Sequence, residues 1–118
     1  MLELIKSKGL DSNKCIKEVL RKNGSVQNVS WLDEHEKKVF KTAFEIDQHV
    51  HLRLASNRQR WVDQGQSLNF FFAHNDTEEY ISSVHQEAFL DPRILSLYYV
   101  YSSNELKADR SGECEACT

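Results

Sequence analysis

An excess of basic charge is missing from this chain. Fifteen Lys and Arg stand against 18 Asp and Glu, for a formal net charge of -3, so the broad basic face that grips a nucleic-acid backbone is not there. No run approaches the roughly 20 apolar residues that cross a bilayer, and the apolar opening from Met1 to Ile5 is too brief for a signal-peptide core. The expectation is a soluble cytoplasmic protein that binds neither nucleic acid nor membrane. Cysteine is scarce: there are three, and only Cys114 and Cys117 lie close together, which excludes the disulfide framework of a small secreted domain. His35, His49, His51, His74 and His85 form no His-Glu-x-x-His motif, so no metal site is expected.

What remains reads as helices followed by a strand, a helix and a strand. At 118 residues one domain is feasible, burying roughly two-thirds of its extended surface. Met1 to Gly9 is a short helix closed by glycine. Asp11 or Ser12 can cap a second helix with the stripe Ile16, Val19 and Leu20, stopped at Asn23-Gly24, and Cys15 is read as a small core residue. Asp33 and Glu36 have capping-box spacing. From there Val39, Ala43, Ile46, Val50 and Leu54 recur at intervals of three and four, predicting one long helix with Trp61 on the same face and Phe40 and Phe44 widening it. His49, His51, Arg53, Asn57, Arg58 and Arg60 make a charged solvated face, because no glycine-rich cradle precedes them to form an anion site.

Gln64-Gly65-Gln66 ends that helix. Ser67 to Phe72 then alternates as a strand, with Leu68, Phe70 and Phe72 on one face and Asn69 free to make an internal hydrogen bond. Asp76 and Glu79 are placed to cap a helix whose buried stripe is Tyr80, Ile81, Val84, Ala88 and Phe89. Asp91-Pro92 redirects the chain into a second strand, Leu95 to Tyr101. A strand over 66–72, a helix over 77–89 and a strand over 95–101 form one β-α-β crossover, which requires parallel pairing. Two strands neither complete a sheet nor close a barrel. Either the remaining strands belong to a larger α/β enzyme of which this is the C-terminal portion, or the N-terminal half supplies extra pairing to an independent domain.

Two features carry candidate chemistry. Tyr98 and Tyr99 are adjacent in the second strand, where strict alternation sends them to opposite faces. Contact between their rings would need a local irregularity, and strand tyrosines are often only half-buried packing. The polar segment 102–118 reads as a mobile arm. The residues between Tyr99 and Cys114 span on the order of 50 Å when extended, so the tail dithiol has reach. Cys-x-x-Cys spacing lets one thiolate attack a disulfide and the other resolve the mixed disulfide. Glu113 and Glu115 would raise rather than lower a thiol pKa, which favours a tethered shuttle over a helix-activated thiol. An incidental thiol pair, and metal donation as in a zinc-binding adaptor, are the competing readings, although the second ligand pair of a zinc ribbon is absent.

The segments Gly24-Ser25-Val26-Gln27, Lys41-Thr42-Ala43-Phe44-Glu45-Ile46, Ala55-Ser56-Asn57-Arg58-Gln59 and Gln64-Gly65-Gln66-Ser67-Leu68-Asn69, with Leu97-Tyr98-Tyr99 and Cys114-Glu115-Ala116-Cys117, resemble the C-terminal region of class I aerobic ribonucleotide reductase large subunits. The versions of large tailed bacteriophages are especially similar. The resemblance implies an α/β fold, the closing section of a ten-stranded α/β barrel over 1–101, with a redox-active tail over 102–118. It implies reduction of ribonucleoside diphosphates to 2'-deoxyribonucleotides by radical chemistry. Tyr98 and Tyr99 would pass oxidising equivalents, and Cys114 and Cys117 would re-reduce an active-site disulfide and accept electrons from thioredoxin or glutaredoxin.

The same resemblance implies a small-subunit partner carrying a dinuclear metal and radical cofactor, with no cofactor bound by this chain itself. The substrate-site cysteines of the family have no match here, and Cys15 has the wrong surroundings. The expected partner is therefore an upstream large-subunit fragment, in the cytoplasm of a phage-infected bacterium, and the chain alone should be inactive. A noncatalytic assembly or regulatory module of the same fold is the alternative.

Overall fold

A computed structural model describes residues 1–103. They fall into two compact units that divide between Thr42 and Ala43.

The first unit holds α1 (Leu2–Ser7), α2 (Ser12–Arg21) and α3 (Glu34–Val39). Asp11 caps α2 by accepting from the amides of Asn13 and Lys14, which satisfies donors that a helix start leaves free. The helix ends where Asn23 and Gly24 take positive φ values of 53° and 87°, a conformation glycine adopts without a Cβ clash. Asp33 and Glu36 form the expected reciprocal capping box of α3. Val19, Val26, Val29 and Leu32 make the core, with Leu4, Trp31 and Phe40 packed against it. Cys15 is buried, as expected, but Leu20 is exposed.

The second unit contains α4 (Gln48–Arg58), β1 (Leu68–Phe72), α5 (Glu78–Leu90) and β2 (Leu97–Ser102), with 3-10 turns at Ala43–Glu45 and Gln59–Trp61. β1 and β2 are parallel, so the β-α-β crossover stands. Thr77, not Asp76, caps α5 by accepting from the Tyr80 amide. The Asp76 carboxylate instead accepts from Ala73 N at 2.7 Å. Leu52 and Ala55 of α4, Leu68, Phe70 and Phe72 of β1, and Val84 and Ala88 of α5 form the core. Phe89, expected inside, is 76% exposed.

The long helix predicted from Asp33 onward is broken. Asp47 caps a new helix by accepting from His49 N, and the chain between α3 and α4 is a 3-10 turn. Restarting the helix changes its phase. Val39, Ile46, Val50, Leu54 and Trp61 are exposed, and the inward face of α4 is Gln48, Leu52, Ala55 and Ser56. Gln48 shows what sets that phase. Its Nε2 donates to the carbonyls of Ala43 (3.1 Å) and Ile46 (2.7 Å), and its Oε1 accepts from Phe71 N at 3.0 Å. One buried amide thereby ties the turn and α4 to the outer edge of β1 with its polar atoms satisfied.

The predicted solvated face is also partly engaged. His49 bonds through Nδ1 to Glu87 of α5 and through Nε2 to the Ser83 hydroxyl at 3.0 Å, while Arg53 Nε donates to Glu87 Oε1 at 3.0 Å. Burial pushes the Glu87 pKa up, but the bonds from His49 and Arg53 outweigh it and hold the carboxyl below its ordinary 4.5.

Gly65 approaches Ser96 closely. A Cβ there would lie 3.1 Å from Ser96 Oγ, the hydroxyl that donates to Gln66 O at 2.9 Å and aligns the entries of the two strands.

Replacing Gln48 by Leu leaves its backbone partners unpaired and should cost about 2–4 kcal/mol, read from denaturation midpoints. Val50→Ala, on the face predicted but not found to be buried, should cost less than about 1 kcal/mol.

Candidate functional site

The candidate site forms where β2 departs from strict alternation. Leu68 pairs with Leu97 and Phe70 with Val100, so β2 uses an extra residue over a span that β1 covers without one. The result is a bulge at Tyr98 and Tyr99, the irregularity that re-aims side chains in a sheet. The rings, which alternation would separate, lie 4.1 Å apart between centroids and are tilted by 57°.

Asn69 holds the bulge. Its Oδ1 accepts from Tyr99 N at 3.0 Å, satisfying a donor that the broken ladder leaves without a strand partner. The side chain of His51 on α4 lies beside the Asn69 backbone. Burial lowers its pKa below 6.5, more than the Asn69 backbone raises it, and the nearby Arg58 adds to the lowering, which favours a neutral imidazole. Asn69 in turn fixes Tyr99.

The Tyr99 phenol beside Tyr98, with burial and the nearby Tyr101 adding to the effect, raises the Tyr98 pKa above 10.0 and favours protonated Tyr98. Tyr98 and Tyr99 nevertheless remain 61% and 52% exposed, so the pair is ordered by contact with itself and with Asn69 rather than by enclosure. This arrangement can hold and exchange a phenolic proton, and it places two oxidisable rings in contact.

β2 continues through Ser102, and Ser103 N donates to Phe72 O at 3.0 Å, slightly past the predicted strand end. Cys114 and Cys117 lie outside the described residues. Among the described residues, no group of three or more His, Cys, Asp or Glu could hold a metal ion, and no helix is long and apolar enough to cross a membrane. Sequence reasoning allowed Asn69 an internal hydrogen bond without identifying its acceptor role at the bulge. It missed Gln48 altogether, since a glutamine in an amphipathic pattern reads as solvated.

Asn69→Ala should destabilise the second unit by about 1–2 kcal/mol and separate the Tyr98 and Tyr99 rings, seen as loss of ring-to-ring nuclear Overhauser contacts. For pH, Tyr98 should titrate above 10.0 in ultraviolet difference spectra and fall towards that value in Tyr99→Phe. A raised folded-state pKa gives stability that is complete below the unfolded pKa and is lost as pH rises through the folded one. The alkaline loss of stability should therefore weaken in Tyr99→Phe.

Comparison with known proteins gives these residues a family. A ribonucleoside-diphosphate reductase large subunit of Invertebrate iridescent virus 3 is 41% identical over 88 residues, covering 75% of this chain and 14% of its own length. The ribonucleoside-diphosphate reductase subunit alpha of Chlamydia muridarum is 31% identical over 111 residues, covering 94% of this chain and 10% of its own length. Among solved structures, the class Id ribonucleotide reductase alpha subunit of Actinobacillus ureae superposes with a TM-score of 0.79 at 34% identity, over 86% of this chain and 19% of that one. The chain spans less than a fifth of the length of each of these three proteins. Its α/β crossover is thus a section of a larger fold, and since residues 1–99 match the family described as ribonucleotide reductase, barrel domain, the chain belongs to that family.

Proposed function

We propose that this chain serves as part of a ribonucleoside-diphosphate reductase, in which Tyr98 and Tyr99 relay oxidising equivalents towards a substrate-site cysteine carried by another part of the large subunit. The observation that carries the reading is the bulge of β2, which brings two phenols into contact at 4.1 Å in a strand of a reductase barrel. A phenol loses an electron together with its proton, and a second phenol in ring contact is a near partner for the exchange of both. Asn69 keeps the rings together without touching either phenolic oxygen, which is the part expected of a positioning residue.

In this reading the small subunit holds the dinuclear metal and radical cofactor, which supplies the one-electron oxidant. An upstream large-subunit portion supplies the substrate-site cysteines and binds the ribonucleoside diphosphate. After each turnover Cys114 and Cys117 re-reduce the active-site disulfide by exchange and are themselves reduced by thioredoxin or glutaredoxin. Among the described residues β2 pairs only with β1, and this edge, with the exposed residues Val50, Leu54 and Trp61, suits a section that is completed by further strands and helices. The likeness to a viral large subunit supports work in the cytoplasm of an infected cell.

The test is turnover in a reconstituted assembly of this chain, the rest of the large subunit and the small subunit. Tyr98→Phe and Tyr99→Phe should each abolish radical-dependent turnover while assembly persists, because only the phenolic oxygen is removed. Activity at the original level in both variants would reject the assignment. Cys114→Ser and Cys117→Ser should permit a single turnover but fail in repeated turnover with a dithiol protein reductant. Equal loss of both would indicate a structural role.

A further inference from the structure

β2 carries another phenol that the relay just described leaves unused. The Tyr101 ring lies 5.9 Å from that of Tyr99, tilted by 56°, and stacks on Phe71 at 5.1 Å with 13° between planes. Phe71 in turn meets Phe44 edge-on at 5.6 Å. Beyond the bulge the ladder is regular, pairing Phe70 with Val100 and Phe71 with Tyr101, so Tyr99 and Tyr101 share a face. Tyr98, Tyr99, Tyr101, Phe71 and Phe44 therefore form one continuous row of rings, with the Tyr98–Tyr99 contact closer than the usual aromatic pair and the others within the ordinary range.

Chemistry divides that row. A phenol can give up one electron and its O–H proton to become a neutral phenoxyl. A phenyl ring has no such proton and is far harder to oxidise. The row consequently consists of three phenols closed at one end by Phe71 and Phe44, and among the described residues the row offers Tyr101 no further phenol beyond Tyr99 and Tyr98. Packing alone would be served equally well by phenylalanine at this position, since Tyr101 is 43% exposed and its large neighbours are rings.

We propose that Tyr101 is a redox-active side station that exchanges an oxidising equivalent with Tyr99, and that Phe71 is the positioning residue that holds its ring in reach. The proposal rests on the radical role of Tyr98 and Tyr99. In the exchange, Tyr101 loses one electron and its phenolic proton, and the Tyr99 phenoxyl gains one electron and one proton. The O–H bond of Tyr101 breaks and that of Tyr99 forms, with the proton carried by water at this exposed face. No further reactant is consumed. The primary oxidant is a one-electron oxidant, which is the small-subunit radical in the assembly or a photogenerated ruthenium(III) polypyridyl complex in isolation.

The test places 3-aminotyrosine at position 101 of the full chain and generates the ruthenium(III) oxidant by a light flash with a cobalt(III) acceptor. Aminotyrosine is easier to oxidise than tyrosine, and its radical is distinct in absorption and in electron paramagnetic resonance. The expected result is a second phase of aminotyrosyl growth that follows the decay of the tyrosyl signal. Tyr99→Phe should remove this phase, Tyr98→Phe should retain it, and Phe71→Leu should slow it while the tyrosyl yield stays unchanged. A second phase of undiminished amplitude in Tyr99→Phe, or tyrosyl decay with no second phase in the parent, would overturn the proposal. Normal turnover of the Tyr98→Phe and Tyr99→Phe assemblies alongside an intact second phase would instead reject the turnover role and leave the exchange standing.

Discussion

Asn69 Oδ1 accepts the amide proton of Tyr99 at 3.0 Å, and the geometry of the whole aromatic face follows from that bond. A regular strand would turn Tyr98 and Tyr99 to opposite sides of the sheet. The extra residue in β2 brings them together, but it also breaks the ladder at Tyr99 N, and an unpaired amide is a cost that a sheet does not retain without compensation. The side-chain carbonyl of Asn69 removes that cost from one strand away. Its apolar neighbours Leu68 and Phe70 point into the core of the second unit, so Asn69 is fixed to the tyrosine face by the alternation of β1.

β1 is in turn held by a polar side chain from α4: Gln48 accepts from Phe71 N while donating to Ala43 O and Ile46 O. The Asp47 carboxylate that starts this helix also accepts from the Tyr80 hydroxyl of α5 at 3.0 Å, and that hydroxyl accepts from Gln48 N at 2.7 Å. The hydrophobic core sets which elements meet, whereas this network sets their register, because hydrogen bonds are directional and apolar contacts are not.

Local signals were the legible ones. The capping box of α3, the asparagine-glycine stop after α2, the alternation of β1 and the parallel crossover each depend on a few neighbouring residues, and the structure has them all. The long helix failed because the apolar spacing continues through a real break. Asp47 reads as one more polar residue in that pattern, yet it caps a new helix and shifts the inward face to Gln48 and Leu52. The tyrosine pair was visible as residues but not as geometry. Whether adjacent side chains meet depends on counting β2 against β1, and a bulge adds a residue that no local composition announces. The family was legible in the motifs themselves, whereas Cys114 and Cys117, expected to form a redox tail, lie outside the described residues.

The parallel pair of strands belongs to a chain of the reductase barrel family, and the proposed relay requires that a radical pass through Tyr98 and Tyr99. Rapid-freeze electron paramagnetic resonance tests this directly on the assembly, with ring-deuterated tyrosine in this chain alone and a ribonucleoside diphosphate present. The account predicts a phenoxyl signal narrowed by deuterium that is absent when Tyr98 and Tyr99 are both phenylalanine. Turnover by the parent assembly without any deuterium-sensitive phenoxyl, under conditions that trap one elsewhere in the assembly, would contradict it.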